Sequence, residues 1–259
     1  MYATVDDIVK LLENEIPVDA AEEWDNVGLM LGRRNGCVKN IILALDFTED
    51  VLEQALAKKA EFILTHHPAI FKKLASVTDG DWQQELLLRA AEHGIAVYSA
   101  HTNLDSVGNG VNYSLSKNLK LTDVDVLDDT SGIGVIGTLK AKNLDVLAAY
   151  VKQVLQAPYV VVGNAGKKVE RVAVCGGSGS EFIRQALAKG ADTFVTGDVK
   201  YHDAQRAIFN GLNIIDAGHQ ATEFPVLDDL ADRLSECFSG RGWNVNVFVS
   251  KEAYLLRSI

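Results

Sequence analysis

With 259 residues, 47% hydrophobic and 23% charged, the chain has room for one large α/β domain or two smaller ones and is composed like an ordinary folded globular protein, which excludes disorder. Thirty-five acidic residues against 25 basic ones leave a formal net charge of −10, which disfavours nonspecific binding to nucleic acid or to an anionic membrane surface. Three widely separated cysteines, Cys37, Cys175 and Cys237, argue against a disulfide framework and offer no Cys-x-x-Cys zinc spacing, so any metal must be held by histidine and carboxylate. Two of the three sit in apolar runs and read as small buried thiols.

The N-terminal MYATVDDIVKLLENEIP reads as an amphipathic helix without a basic n-region or a long apolar stretch. It is expected to be neither a secretory signal nor a membrane span, and the expected location is the cytoplasm. Downstream, short β-branched runs alternate with helical patterns. The run IILAL (41–45) precedes a helix from about Glu49 to Lys59, then FILT (62–65), a helix across Trp82 to Glu92, and IAVYSA. The second half repeats the order with VAVC (172–175), a helix over Glu181 to Lys189, TFVT (193–196), a helix over Asp203 to Phe209, and NIID. This alternation predicts an α/β fold built from βαβ units, with mostly parallel sheets and flanking helices.

The halves also match in sequence. Residues 38–68 align without a gap on residues 169–199, an offset of 131 that brings Gln-Ala-Leu-Ala-Lys onto itself and Thr65 onto Thr196. With one extra residue, 94–105 aligns on 211–223, so each half closes a strand with His-x-x-x-carboxylate. A period this long is no solenoid; it reads as a duplicated α/β half. The expected division is 1–127 and 128–259, with the polar, glycine-rich stretch Asp128 to Gly137 as the connection and the C-terminal part (about 213–259) packing back on the first half.

In open parallel sheets, ligands collect beyond the carboxyl ends of the strands. His66 and His67 follow FILT, Asp105 follows IAVYSA, and His219 and Glu223 follow NIIDAG. Adjacent histidines in a regular strand point to opposite faces, so this pair serves one site only if the strand has ended, and Pro68 supports such a turn. Imidazole with carboxylate suits zinc, iron, manganese or nickel, and two ions are expected from five such ligands, with coordination positions left open. Singly, each residue reads more naturally as a loop-end hydrogen-bonding group or helix cap; five metal-type residues at three strand ends favour a metal site.

His101, which matches His219 in the repeat, reads as a ligand, an orienter of a ligand or an acid–base group, with the orienting role favoured, and His101 or His202 is expected to assist proton transfer. Gly197 and Asp198 stand where the first half has His66 and His67, and Asp198, Lys200 or His202 are candidates to face substrate. His93 reads as a helix C-terminal residue. Gly-Gly-Ser-Gly-Ser (176–180) lacks the lysine of a P-loop and the spacing of a dinucleotide fingerprint; it fits a weak anion loop or a tight turn equally.

Five motifs together resemble one family: Trp-Asp-Asn-Val-Gly-Leu (24–29), Thr-His-His-Pro (65–68), His-Thr-Asn-Leu-Asp (101–105), Thr-Gly-Asp-Val-Lys-Tyr-His (196–202) and Gly-His-x-x-Thr-Glu (218–223). The chain is similar over nearly its whole length to the Nif-three-like family, also called GTP cyclohydrolase 1 type 2 homologues, in its compact form without an inserted domain. The resemblance implies two metal ions at His66, His67, Asp105, His219 and Glu223. It also implies a homo-oligomer, a toroidal hexamer with its sites facing an inner cavity, and hydrolysis of a purine nucleotide or related small molecule. The competing expectation is a non-enzymatic metal-handling or adaptor assembly with structural or regulatory metals; nucleic-acid binding through the ring is a weaker third.

Overall fold

The computed structural model describes residues 2–139, 141 and 143–256. Two compact units divide the chain, Met1–Leu104 with Leu227–Ala253 and Asp105–Val226 with Tyr254–Ile259. The first begins with β1 (Ala3–Thr4) and α1 (Val5–Glu15), passes through β2 (Gly28–Leu31), β3 (Cys37–Val38) and β4 (Asn40–Ala44), then alternates through α2 (Glu49–Lys58), β5 (Phe62–Thr65), α3 (Trp82–Glu92) and β6 (Ala96–Ser99). A short helix, α4 (Thr102–Ser106), carries the chain into the second unit.

There α5 (Val111–Asn118), β7 (Thr122–Val126), β8 (Val135–Thr138), α6 (Leu144–Val154) and β9 (Val161–Gly163) precede a second alternation. This comprises β10 (Arg171–Ser178), α7 (Ile183–Ala188), β11 (Thr193–Gly197), α8 (Tyr201–Phe209), β12 (Asn213–Asp216) and α9 (His219–Glu223). The last elements are α10 (Pro225–Gly240) and β13 (Asn246–Val249).

Local chemistry explains the ends of the leading helices. The Thr4 side chain accepts the Asp7 amide while Asp7 reaches back to the Thr4 amide, a capping box that starts α1 and satisfies donors the helix cannot. Thr48 caps α2 through the Val51 amide, and Asp81 caps α3 through Gln83 and Gln84. Helix α10, absent from the expectations above, buries Val226, Leu227, Leu230, Leu234 and Phe238 at helical spacing behind an N-terminal proline.

The first sheet has the order β13-β4-β5-β6-β2, parallel except for β2 at one edge. The second runs β7-β8-β10-β11-β12-β9, with a parallel centre, β10 to β12, flanked by antiparallel strands on both sides. Strands β7, β8 and β9 were not read from the sequence. Asp128 to Gly137, expected as a connection, instead supplies the turn and much of the second strand of a β7–β8 hairpin, closed by Asp128 N–H to the Ile133 carbonyl (3.1 Å) and Leu127 N–H to the Gly134 carbonyl (2.9 Å).

The parallel cores share one register. Leu43 pairs with Leu64 and Leu64 with Tyr98 in the first sheet; Val174 pairs with Val195 and Val195 with Ile215 in the second, the positions the internal alignment equates. Alternate residues of the second sheet enter different cores, as the two-residue strand period requires. Val172, Val174, Val195 and Ile215 pack with α5 and α6, whereas Ala173, Cys175, Phe194 and Ile214 pack with α7 and α8. Of the cysteines, Cys175 is buried, Cys237 is half-buried and Cys37 is exposed at the sheet edge, so one buried thiol stands where two were expected. Among the described residues, no helix is long and apolar enough to cross a membrane.

Phe194 is fully buried at the centre of the second sheet. Truncation by Phe194→Ala is expected to cost about 3–5 kcal/mol through lost burial and the cavity left behind. Urea denaturation monitored by circular dichroism reads this directly; a midpoint unchanged from wild type contradicts the packing described.

Candidate metal centre

In the first unit, β5 ends at Thr65 and the ladder changes character over the next two residues. The His66 and His67 amides both donate toward the β4 side, to the carbonyls of Ala44 (3.0 Å) and Leu45 (2.8 Å), where a regular strand alternates its donors. Thr65 Oγ1 donates to the His67 carbonyl at 2.8 Å, so a side chain braces the bend. The two imidazoles consequently lie side by side, with ring centroids 5.0 Å apart, and His101 joins them at 5.3 and 5.7 Å. Each of the three offers a ring nitrogen, and these nitrogens lie within 4.8 Å of one another. Of the three roles open to His101, this geometry places it among the potential ligands.

Every one of these rings is tied at Nδ1. His66 bonds the Ala100 carbonyl (2.9 Å), His67 the Asp46 carboxylate (2.9 Å) and His101 both oxygens of Asp25 (3.0 Å). An oxygen acceptor at Nδ1 places a proton there and leaves Nε2 as the ligand nitrogen, the arrangement that orients metal-binding histidines. Asp46 is itself set by Glu252, whose carboxylate accepts the amides of Leu45 (2.9 Å) and Asp46 (3.3 Å). Burial alone would raise the Asp25 pKa, but hydrogen bonds from His101 and Thr102 outweigh it and hold this carboxyl well below the usual range.

The second unit carries His219 and Glu223 one turn apart on α9, with His219 Nε2 3.0 Å from Glu223 Oε1. His219 Nδ1 is held by Asp198 at 2.7 Å, so this ring is tied to an oxygen as the other three are. Glu223 is buried, which for a carboxylate calls for a compensating partner or ion. Asp105, half-buried on α4, is positioned through its carbonyl, which accepts the Asn112 amide at 2.9 Å; Asn112 Oδ1 in turn accepts the Gly176 amide at 3.0 Å. Burial drives the Cys175 thiol pKa up, and the carboxylates of Asp105, Glu181 and Glu223 push it further, so this thiol is no nucleophile.

The Gly-Gly-Ser-Gly-Ser segment has a different role from either expectation. Gly176 to Ser178 extend β10, and Gly177, at φ 64°, lies against His219 and Glu223. A Cβ on Gly177 would sit 2.2 Å from Glu223 Oε1 and 3.1 Å from His219 Nε2, and one on Gly176 would sit 2.6 Å from Val111 Cγ1. Gly177 makes room for the carboxylate and imidazole, and Gly176 for Val111. Gly197 explains why the second half lacks its own histidine pair: a Cβ at this counterpart of His66 would fall 2.6 Å from the His219 amide nitrogen. Asp198, the counterpart of His67, has become the group that orients His219.

His202 is exposed on α8, its ring edge-on to Tyr201 at 5.2 Å, and His93 closes α3 with Nδ1 on the Arg89 carbonyl. A cleft of about 730 Å³ in the second unit is lined by Asp198 and Lys200 together with Arg184, Asp203 and Arg206. Sequence reasoning missed Asp25, Asp46 and Asn112, and it named Asp198 without its role. Asp25 lies inside the Trp-Asp-Asn-Val-Gly-Leu motif, but no local feature marks it or Asp46 as the partner of a particular histidine.

Comparison with known proteins gives the family. The model of the Duf34/NIF3 (NGG1p interacting factor 3) family matches residues 3–254. The chain belongs to that family. It is 35% identical over 256 residues to a GTP cyclohydrolase 1 type 2 homolog of Clostridium perfringens, covering 96% of this chain and 97% of the relative. It is also 35% identical to one of Lactococcus lactis, covering 96% of each. Among solved structures, the Staphylococcus aureus hypothetical protein SA1388 superposes with a TM-score of 0.92 at 30% identity over 99% of both chains. The donor set, the anchored rings and the glycine cradle fit a metal ion, so the NIF3 chain described here has His and Glu groups that could hold one.

Two outcomes are expected. Asp198→Asn, which leaves His219 without its anionic anchor, is expected to weaken metal affinity about 10–100-fold, measured by chelator competition. Unchanged affinity removes Asp198 from the role given to it. Asp25 titrates near 3.9 when unfolded and lower when folded, so its contribution to stability is complete above that value and is lost as pH falls below it. Asp25→Asn should therefore be less stable than wild type at pH 7 in urea titrations, with the gap narrowing progressively as pH falls below about 4; a gap that widens in acid rules this out.

Proposed function

We propose that this protein is a metal-dependent hydrolase of a purine nucleotide or related small metabolite, with His66, His67, Asp105, His219 and Glu223 holding two divalent ions. The observation that carries the reading is the anchoring of each histidine at Nδ1, three of the four by carboxylate. Side chains fixed this way bind without first being ordered, which favours ligation over a casual cluster of polar groups. The naming of its relatives as GTP cyclohydrolase 1 type 2 homologs agrees with such a substrate. When bound, ions of this class supply Lewis acidity and an acidified water.

The protein's own residues do the rest. Asp25 fixes the proton of His101 at Nδ1, so Nε2 is available to accept one from water or pass one to a leaving group. His101 therefore either completes the ligand set or serves as the proton carrier, and the charged cleft beside Asp198 offers Arg184, Lys200 and Arg206 to an anionic portion of the substrate. His202, exposed on the helix that follows this cleft, is the second candidate for proton transfer. The family resemblance implies a toroidal hexamer, and sedimentation is expected to give six chains per particle.

Elemental analysis of purified protein is expected to give two divalent ions per chain, and metal-loaded protein should turn over members of a nucleotide panel. His66→Ala and Glu223→Ala should each lose metal and reduce turnover by at least 100-fold. Turnover that survives in metal-depleted His66→Ala displaces the proposed site, whereas tight, slowly exchanging metal with no turnover across the panel favours the metal-handling reading.

A further inference from the structure

The Trp-Asp-Asn segment does more than anchor a histidine. Asp25 accepts the Thr102 amide and hydroxyl as well as His101 Nδ1, which fixes the backbone beside Trp24. Asn26 donates through Nδ2 to the Ile70 carbonyl, and Ile70 precedes Phe71 on the chain that leaves His66, His67 and Pro68. One motif thereby brings two aromatic side chains together, Trp24 and Phe71, with ring centroids 6.1 Å apart and planes at 71°. Trp24 also meets His101, at 6.2 Å and 76°.

Both aromatics face solvent, Trp24 at 62% and Phe71 at 47% exposure. Large aromatic surface held in a fixed orientation and left in water is disfavoured for a folded chain, and it commonly marks a binding surface. Hydrogen bonds on either side show that these rings are held rather than left loose. Beside the indole lies His101, one of the three clustered imidazoles.

We infer that Trp24 and Phe71, set nearly perpendicular, form an aromatic corner for a planar nitrogen heterocycle, one ring stacking on it and the other meeting its edge, and select for substrates carrying one beside the histidine cluster. Stacking on an aromatic face tolerates any flat π-system and adds affinity without base-specific hydrogen bonds. Trp24 and Phe71 would therefore set substrate class, while the imidazoles act on the ring or its substituent. This rests on the histidine cluster being the reaction site.

Equilibrium dialysis with guanosine, and with ribose 5-phosphate as the non-aromatic comparison, tests it on the full-length protein, with metal content measured on the same samples. Guanosine is expected to bind the wild type and ribose 5-phosphate at least tenfold more weakly. Trp24→Ala and Phe71→Ala should each weaken guanosine roughly tenfold, and Trp24→Phe, which keeps a stacking face, should stay within a few-fold of wild type. Equal binding of the two probes, no guanosine binding to the wild type, or unchanged guanosine affinity in Trp24→Ala overturns the proposal. Loss of assembly mass in Trp24→Ala with guanosine affinity intact would overturn it too, assigning the rings to a contact between copies of the chain. If the protein holds no metal yet guanosine binding still depends on Trp24 and Phe71, the aromatic corner stands and the metal reading fails.

Discussion

A histidine becomes a dependable ligand or proton carrier only when one nitrogen is committed elsewhere, and this chain commits Nδ1 in all four cases. His66 uses a backbone carbonyl, while His67, His101 and His219 use Asp46, Asp25 and Asp198. Each anchor comes from a neighbouring strand end or loop, so ring orientation depends on the β-sheet register that places those ends. A one-residue slip of β5 against β4 would move His67 away from Asp46 and turn its side chain to the other face. The alternating buried faces of the sheets guard against that slip, which is how core packing enters the chemistry.

Duplication supplied two copies of this frame, and steric exclusion made them different. Where the first half has His66, the second has Gly197 pressed against the His219 backbone; where the first has Asp46, the second has Gly177 pressed against Glu223. At the position of His67 stands Asp198, with φ 54°, a left-handed conformation that aspartate tolerates better than most residues. Each half has therefore specialised. The first concentrates imidazoles, and the second pairs one imidazole with a buried carboxylate and keeps its remaining acidic group for orientation.

The strands and helices of both parallel cores were legible because their apolar runs and helical spacings are local properties, and FILT and TFVT became β5 and β11 almost to the residue. The stripe of α10, from Val226 to Phe238, was equally present but lay outside the repeat that organised the sequence reading. Strands β7 and β9 were not legible, since β7 (TDVDV) is largely polar and β9 has three residues; β7 acquires strand character from its hairpin partner β8, and β9 from the distant β12. The ligand-type residues announced themselves by chemistry and position. Their orienters did not, because nothing local distinguishes the carboxylate at Asp46 or Asp25 from an ordinary loop acid. The glycines at 176 and 177 were misleading for a related reason: the need for a missing Cβ arises from Val111 for Gly176 and from Glu223 and His219 for Gly177, all far away in sequence.

Gathering imidazoles and a buried carboxylate at strand ends carries an energetic consequence. Glu223 and His66 are almost wholly removed from solvent, and desolvated polar groups oppose folding unless strong partners compensate. Hydrogen bonds at Nδ1 compensate one end of each ring, and a divalent ion bound at the other would compensate the rest. On the proposed reading, metal affinity and folding stability are then coupled: an ion that binds only the folded chain raises stability in proportion to the logarithm of its concentration over its dissociation constant. The anchors would serve both ends, because an imidazole already aimed at its ligand position loses little entropy on binding. The same fixed groups that ready the site for chemistry would thus make the fold depend on what the site holds.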